Sequence, residues 1–178
     1  EYYYGKKAAD EYVQGIRLNI ENAKPVIGYY GVNQEGSGDM YSKGANMLHT
    51  IRQVINDDSL FRKILRGLNR EFYHRTIDTK DVEAYFSKES GKDLSKIFDQ
   101  YLRDIRIPTL EYKIKGDKLS YRWINCVPGF DMPIRLQDSN QWLNPSADWT
   151  STTLSSATQK AKIIAIDKNF YVVAKEVE

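Results

Sequence analysis

The chain has 178 residues, with 26 Lys plus Arg against 24 Asp plus Glu, and a single cysteine. That length holds one domain or two small ones, and a net charge of +2 points to neither a nucleic-acid partner nor an acidic one. One cysteine excludes a disulfide within the chain, and no apolar run approaches the ~18 residues that span a bilayer, so no membrane partner is expected.

The opening EYYYGKK reads as the end of a helix already in progress. It offers no capping side chain and begins on aromatics, so further chain is expected before it. Residues 6–22 place Ala8, Ala9, Tyr12, Val13, Ile16 and Ile20 close to helical spacing, which predicts an amphipathic helix with those residues inward. Gly15 weakens that helix by up to ~1 kcal/mol relative to Ala and is expected to mark a close helix contact. Residues 22–38 carry Pro25, four glycines, Tyr29 and Tyr30. A loop this long is usually functional or disordered, and its aromatics argue for packing, either as a crossing loop or along a cleft.

The next helix is expected from Tyr41 to Asn56, with Ala45, Leu48, Ile51, Val54 and Ile55 as its apolar stripe. His49 lies near the stripe and is read as a hydrogen-bonded boundary residue, not a ligand. The pair Asp57-Asp58 caps a following helix over 59–74. Its outer face holds Arg62, Lys63, Arg66, Arg70 and Arg75, read as a solvated basic face. Asp78 or Thr79 caps a helix to Ser90, and Gly91 stops it. Asp93 opens one more helix, through Arg103. Pro108 marks a change to period-two alternation. Leu110, Tyr112 and Ile114 are followed by Gly116-Asp117, a type II′ turn, and then by Leu119, Tyr121 and Trp123. Further strands are expected around 132–136, 141–143, 149–154, 162–166 and 170–174, so a small sandwich follows the helices. Cys126 is read as an inert, half-buried thiol.

The chemistry the residues could carry is sparse. The two histidines, His49 and His74, fall on separate predicted helices, and neither HExxH nor CxxC occurs, so no metal site is expected within this chain. No nucleophile elbow, P-loop or GxGxxG context is present. From pattern alone, Tyr41 is an aromatic residue at a helix start that packs on the preceding loop.

The run YSKGANMLHTIR, residues 41–52, resembles the Tyr-x-Lys-Gly-Ala segment of the zinc aminopeptidases of the aminopeptidase N and leukotriene hydrolase type, the gluzincins. The similarity continues in SGKDLSKIFDQYLRDIRIPTLEY, residues 90–112, where Tyr101 stands at a position the family fills with Trp. It extends into PIRL and NFYVV of the β part. The resemblance implies an α+β fold: the helical C-terminal part of a thermolysin-like catalytic domain over 1–107, then a small antiparallel β-sandwich over 108–178. It implies a C-terminal fragment of an enzyme that hydrolyses amino-terminal residues from peptides. The zinc and the upstream half of the catalytic domain would belong to the full-length enzyme, with no cofactor in this chain and the fragment alone inactive. Tyr41 is the one catalytic residue carried over. As water adds to a peptide carbonyl, charge grows on the oxygen, and a phenol, protonated at neutral pH, donates to it. Lys43 and Gly44 are then structural, with Gly44 allowing a close approach near the cleft. The type of relative implies a periplasmic or secreted setting, and a fragment so cut is expected to self-associate through exposed apolar surface. The alternative is a non-catalytic helical-plus-sandwich module that binds a protein partner through residues 24–40 and an aromatic β face.

Overall fold

In the computed structural model, which describes residues 1–32, 35–137, 139–154 and 164–178, the chain is α+β, with helices first and strands after. Residues 1–5 form one turn: Gly5 N–H donates to the Glu1 carbonyl at 2.8 Å, with Gly5 at φ 79°. A five-to-one bond into a left-handed glycine is the geometry that closes a helix. Helix α1 (Gly5–Gly15) then starts, and it tightens into a 3₁₀ turn over Ile16–Asn19. The expected helix to residue 22 therefore ends early, as Ile20 is already extended.

Two expectations about α1 are corrected. Tyr12 points outward and is exposed, and no residue of α1 is fully buried. Nothing lies within 4 Å of where a Gly15 side chain would begin. The side of α1 turned to the protein is mixed: Ala8, Ala9 and Val13 are half-buried there, as expected, beside Asp10 and Gln14, whose hydrogen bonds help to hold it.

Helix α2 (Ser42–Ile55) is the central one, and it ends at Asn56 in the left-handed conformation. Helix α3 (Asp58–Glu71) follows at once, its first amides taken by the Asp57 carboxylate. Helix α4 (Thr79–Ser90) opens on a reciprocal pair, Asp78 with Asp81, and ends at Gly91 with φ 67°. Where one helix was expected from Asp93 to Arg103, a single turn α5 (Ser95–Phe98) widens into a π segment over Asp99–Arg103. The wider turn leaves both Gln100 and Tyr101 inside. The close helix contact lies at Gly67 of α3, where an added Cβ would sit 1.9 Å from the Tyr85 hydroxyl of α4.

The strands are β1 (Thr109–Lys115), β2 (Lys118–Ile124), β3 (Ile134–Arg135), β4 (Trp142–Leu143), β5 (Thr150–Thr153) and β6 (Val173–Glu176). The β1–β2 hairpin pairs Leu110 with Trp123 and Tyr112 with Tyr121, and Gly116 at φ 65° supplies the conformation its two-residue turn needs. The larger sheet runs β5-β2-β1-β6, and β3 pairs with β4 in a second, two-stranded sheet. The expected antiparallel pattern fails at one edge, because β6 lies parallel to β1, Thr109 opposite Val173. A parallel neighbour needs a crossover of a dozen or more residues, and β6 arrives from far along the chain. The strand expected at 170–174 begins later, since Phe170 closes a turn onto the Asp167 carbonyl. Of the strand expected at 162–166, residues 162 and 163 lie outside the described residues, and Ile166 makes a single bridge to Leu136.

One cluster of buried apolar side chains runs from Ile51 and Val54 of α2 through Leu94, Ile97, Phe98 and Tyr101 to Leu110, Trp123, Ile134 and Phe170. No helix among the described residues is long and apolar enough to cross a membrane.

Candidate functional site

The segment that enters α2 is built from buried polar groups. Ser37 begins a 3₁₀ turn over Gly38–Met40, its hydroxyl accepting from the Asp39 amide at 3.2 Å. The Asp39 side chain turns inward, where its two oxygens accept from the Glu21 amide at 3.0 Å and the Asn22 amide at 2.7 Å. This carboxylate ties the end of the α1 region to the start of α2. Four residues on, Lys43 is buried in spite of its charge, and its Nζ donates to the Asp104 carbonyl at 2.8 Å. Burial pulls the Lys43 ammonium below the usual lysine range, opposed by Asp39 and Asp104. Asn46 is fully buried one turn further: its amide donates to the carbonyls of Val13 and Ser42, and its oxygen accepts from Arg17 Nε.

Between these anchors stands Tyr41. Its carbonyl accepts from the Ala45 amide at 2.9 Å, so its backbone belongs to α2. Its side chain is 76% exposed and its hydroxyl makes no hydrogen bond to another described residue. The reading of Tyr41 as a ring packed on the preceding loop is therefore overturned. Lys43 is structural, as expected. Gly44 makes no close approach, as nothing lies within 4 Å of where its Cβ would be.

A second polar group joins the helices to the late β segment. His49 Nε2 lies 3.0 Å from Asn169 Oδ1 and 3.5 Å from Asp10 Oδ1. Gln14 also donates to Asn169, and Lys6 pairs with Asp10 at 2.7 Å. Burial holds the His49 imidazole below the usual histidine range, against the pull of Asn169 and Asp10. His49 is thus the hydrogen-bonded boundary residue expected. Tyr101 is buried, and its hydroxyl donates to the Tyr171 carbonyl at 2.7 Å. Burial pushes the Cys126 thiol up to about 11, and its Sγ donates to the Ile124 carbonyl, so the thiol stays protonated and unreactive at neutral pH.

Residues of the 22–38 loop line a pocket of about 430 Å³ with Lys24, Pro25, Ile27, Tyr29, Tyr30, Glu35 and Arg103. The loop is fixed by the Ile27 amide on the Leu102 carbonyl and by the Tyr30 hydroxyl on Thr79. Gly36 lets its two arms meet, since a Cβ there would lie 2.0 Å from the Val26 carbonyl oxygen. Tyr41 is not among the lining residues. Of the aromatic β side chains, Tyr112, Tyr121 and Trp123 are buried, while Trp149 is exposed, with Lys113 and Arg122 at 4.8 and 4.7 Å from its ring centre. Among the described residues no group of three His, Cys, Asp or Glu is placed to hold a metal ion.

Asp39 and Asn46 went unremarked in the sequence. Asp39 had a local signal, a Ser two residues earlier in a turn-forming Ser-Gly-Asp run. Asn46 had none, because apart from the Ser42 carbonyl its partners are 29 and 33 residues away.

No family model matches the chain. Over 114 residues, 64% of this chain, it is 21% identical to aminopeptidase N of Lactococcus lactis subsp. lactis, and it spans 13% of that protein. The fold is similar to part of aminopeptidase A of Legionella pneumophila, solved in complex with aspartic acid: the TM-score is 0.65 at 16% identity, covering 93% of this chain and 22% of that one. The two matches together support a relation to aminopeptidases, of which this chain spans a minor part.

Proposed function

We propose that this chain is the C-terminal portion, helical over 1–107 and β over 108–178, of a zinc-dependent aminopeptidase of the gluzincin type, and that Tyr41 is its contribution to catalysis. The observation that carries the reading is an exposed phenol on an immobilised base: Tyr41 is open to solvent while Asp39 and Lys43 on either side are buried and bonded. The described residues do not fit a zinc ion. The metal belongs, in this reading, to the upstream half of the catalytic domain, the partner this chain completes.

The role of Tyr41 follows from charge development. When water adds to the carbonyl of the first peptide bond, the oxygen gains negative charge before the carbon–nitrogen bond breaks and the new amine leaves. A hydroxyl donor held where that charge grows lowers the barrier more than it tightens the ground state. A fixed backbone matters because the donor then needs no reorganisation at the moment of reaction. Asp39, Lys43 and Asn46 are positioning residues, acting through the backbone of 39–46.

The test is Tyr41→Phe in the complete protein that carries this chain, assayed on aminoacyl amides. Loss of one such donor lowers kcat by about 10²–10³ with little change in KM. An unchanged kcat removes Tyr41 from the mechanism. Absence of any metal-dependent aminopeptidase activity in the complete, unsubstituted protein removes the enzyme reading and leaves the module.

A further inference from the structure

Helix α3 carries an unpaired row of cations. Arg62, Lys63, Arg66 and Arg70, with Ser59, line one open groove of about 620 Å³ on its outer side. At 100° per residue these five positions fall within one stripe about a quarter of the circumference wide, and Arg62, Arg66 and Arg70 recur every four residues over ~12 Å of helix axis. A solvated helix face ordinarily alternates charges, since opposite charges at i,i+4 support a helix and like charges weaken it. Here Arg62–Arg66 and Arg66–Arg70 are like-charge pairs at that spacing.

The acidic residues at either end of the helix do not neutralise the row. Asp58 is bonded twice by Arg52, which also holds Glu1. Glu71 pairs with Arg75. Among the described residues, none of Arg62, Lys63, Arg66 and Arg70 forms an ion pair. The whole chain is only +2, so the rest of the molecule is net negative and the positive charge is concentrated on this face.

We propose that this face of α3 docks an acidic α-helical polypeptide segment. The charge and its period both select that occupant. Three guanidiniums a helical turn apart match carboxylates that repeat at the same spacing, and each guanidinium presents a planar fork that fits a carboxylate at two points. The stripe has no aromatic ring on which bases could stack, as single-stranded nucleic acid requires. It has no apolar residue to enter a bilayer, as a membrane-surface helix requires.

A helical peptide with Glu at every fourth position is titrated by fluorescence anisotropy, against a peptide of the same composition with that period scrambled. The periodic peptide binds, and its affinity falls as salt rises. Arg66→Gln weakens it about tenfold, the scale of one charge-assisted bond. Arg75→Gln, the same charge change away from the groove, leaves it within about twofold. Equal binding of the scrambled peptide, an equal effect of Arg75→Gln, or no binding at low salt overturns the proposal. So does tighter binding of an oligonucleotide or of anionic phospholipid vesicles under the same conditions.

Discussion

Gln100 joins the helices to the strands, and its replacement gives a calculable loss. The side chain is fully buried in the π segment. Its Nε2 donates to the Arg106 carbonyl at 2.8 Å, and its Oε1 accepts from the Val127 amide at 2.7 Å. Gln100→Met keeps nearly the same volume and removes both polar ends. Arg106 is exposed and Val127 half-buried, so water reaches the freed groups and each lost bond costs about 0.5–1.5 kcal/mol, about 1–3 kcal/mol for the two. Against a total stability of about 5–15 kcal/mol this is a sizeable fraction. In guanidinium unfolding followed by circular dichroism, the midpoint falls while the slope is unchanged. Gln100→Glu separates the two bonds. Its carboxyl accepts from Val127 in either state but donates to Arg106 only when protonated, so its deficit shrinks between about pH 8 and pH 5 while that of Gln100→Met does not. A Gln100→Met protein within ~0.5 kcal/mol of the parent would refute the argument.

Two further outcomes follow from local geometry. Gly67→Ala forces its new Cβ against the Tyr85 hydroxyl at 1.9 Å; overpacking of about 1–3 kcal/mol exceeds the helix-propensity gain of up to about 1 kcal/mol, and Tyr85→Phe, which removes the hydroxyl, restores stability. Destabilisation by Gly67→Ala that persists undiminished in the Tyr85→Phe background contradicts the contact. His49 has its folded-state pKa depressed by burial, so the unfolded chain takes up the proton first. Its contribution is intact above the unfolded value of about 6.5 and is lost as pH falls through the lower folded value. The melting temperature accordingly drops on acidification, and His49→Gln flattens that slope; a slope unaltered in the variant would assign it to other groups.

Features set by neighbouring residues were legible in the sequence. Asp57 and Asp78 cap helices, Gly91 ends one, and Gly116 turns the hairpin, since each depends on two to four consecutive residues. Features set by distant partners were not. Periodicity places polar residues outward, yet Asp10 and Gln14 of α1 and Arg17 of the turn after it are half-buried, because Asn169 donates to Asp10 and accepts from Gln14 while Asn46 accepts from Arg17, both far along the chain. A glycine contact was expected at Gly15 and exists at Gly67, as sequence does not show what lies opposite. The parallel placement of β6 depends on where the chain returns, which alternation cannot reveal. The basic face of α3 was legible from its spacing, but not that Arg62, Lys63, Arg66 and Arg70 stand without ion-pair partners among the described residues, which depends on where acids elsewhere in the chain fall.

The candidate site shows the same division, and it bears on what the segment 37–46 is for. Helix periodicity identified α2 and the position of Tyr41 at its head, but not that Asp39, Lys43 and Asn46 would be interior. Burying an ammonium and a carboxylate this way is a poor route to stability, since desolvation offsets much of what their bonds return and apolar residues of equal volume often do as well. What such groups supply is a single backbone arrangement, because each must keep its partner or lose the full desolvation cost. Asp39 has two amide donors and Lys43 one carbonyl acceptor, which fixes the chain on both sides of residue 41. A ring required only for packing would be covered by that arrangement, yet Tyr41 is left exposed. Fixed backbone beneath a free hydroxyl is the combination that a preorganised donor needs, and it is the physical ground on which the catalytic proposal for Tyr41 rests.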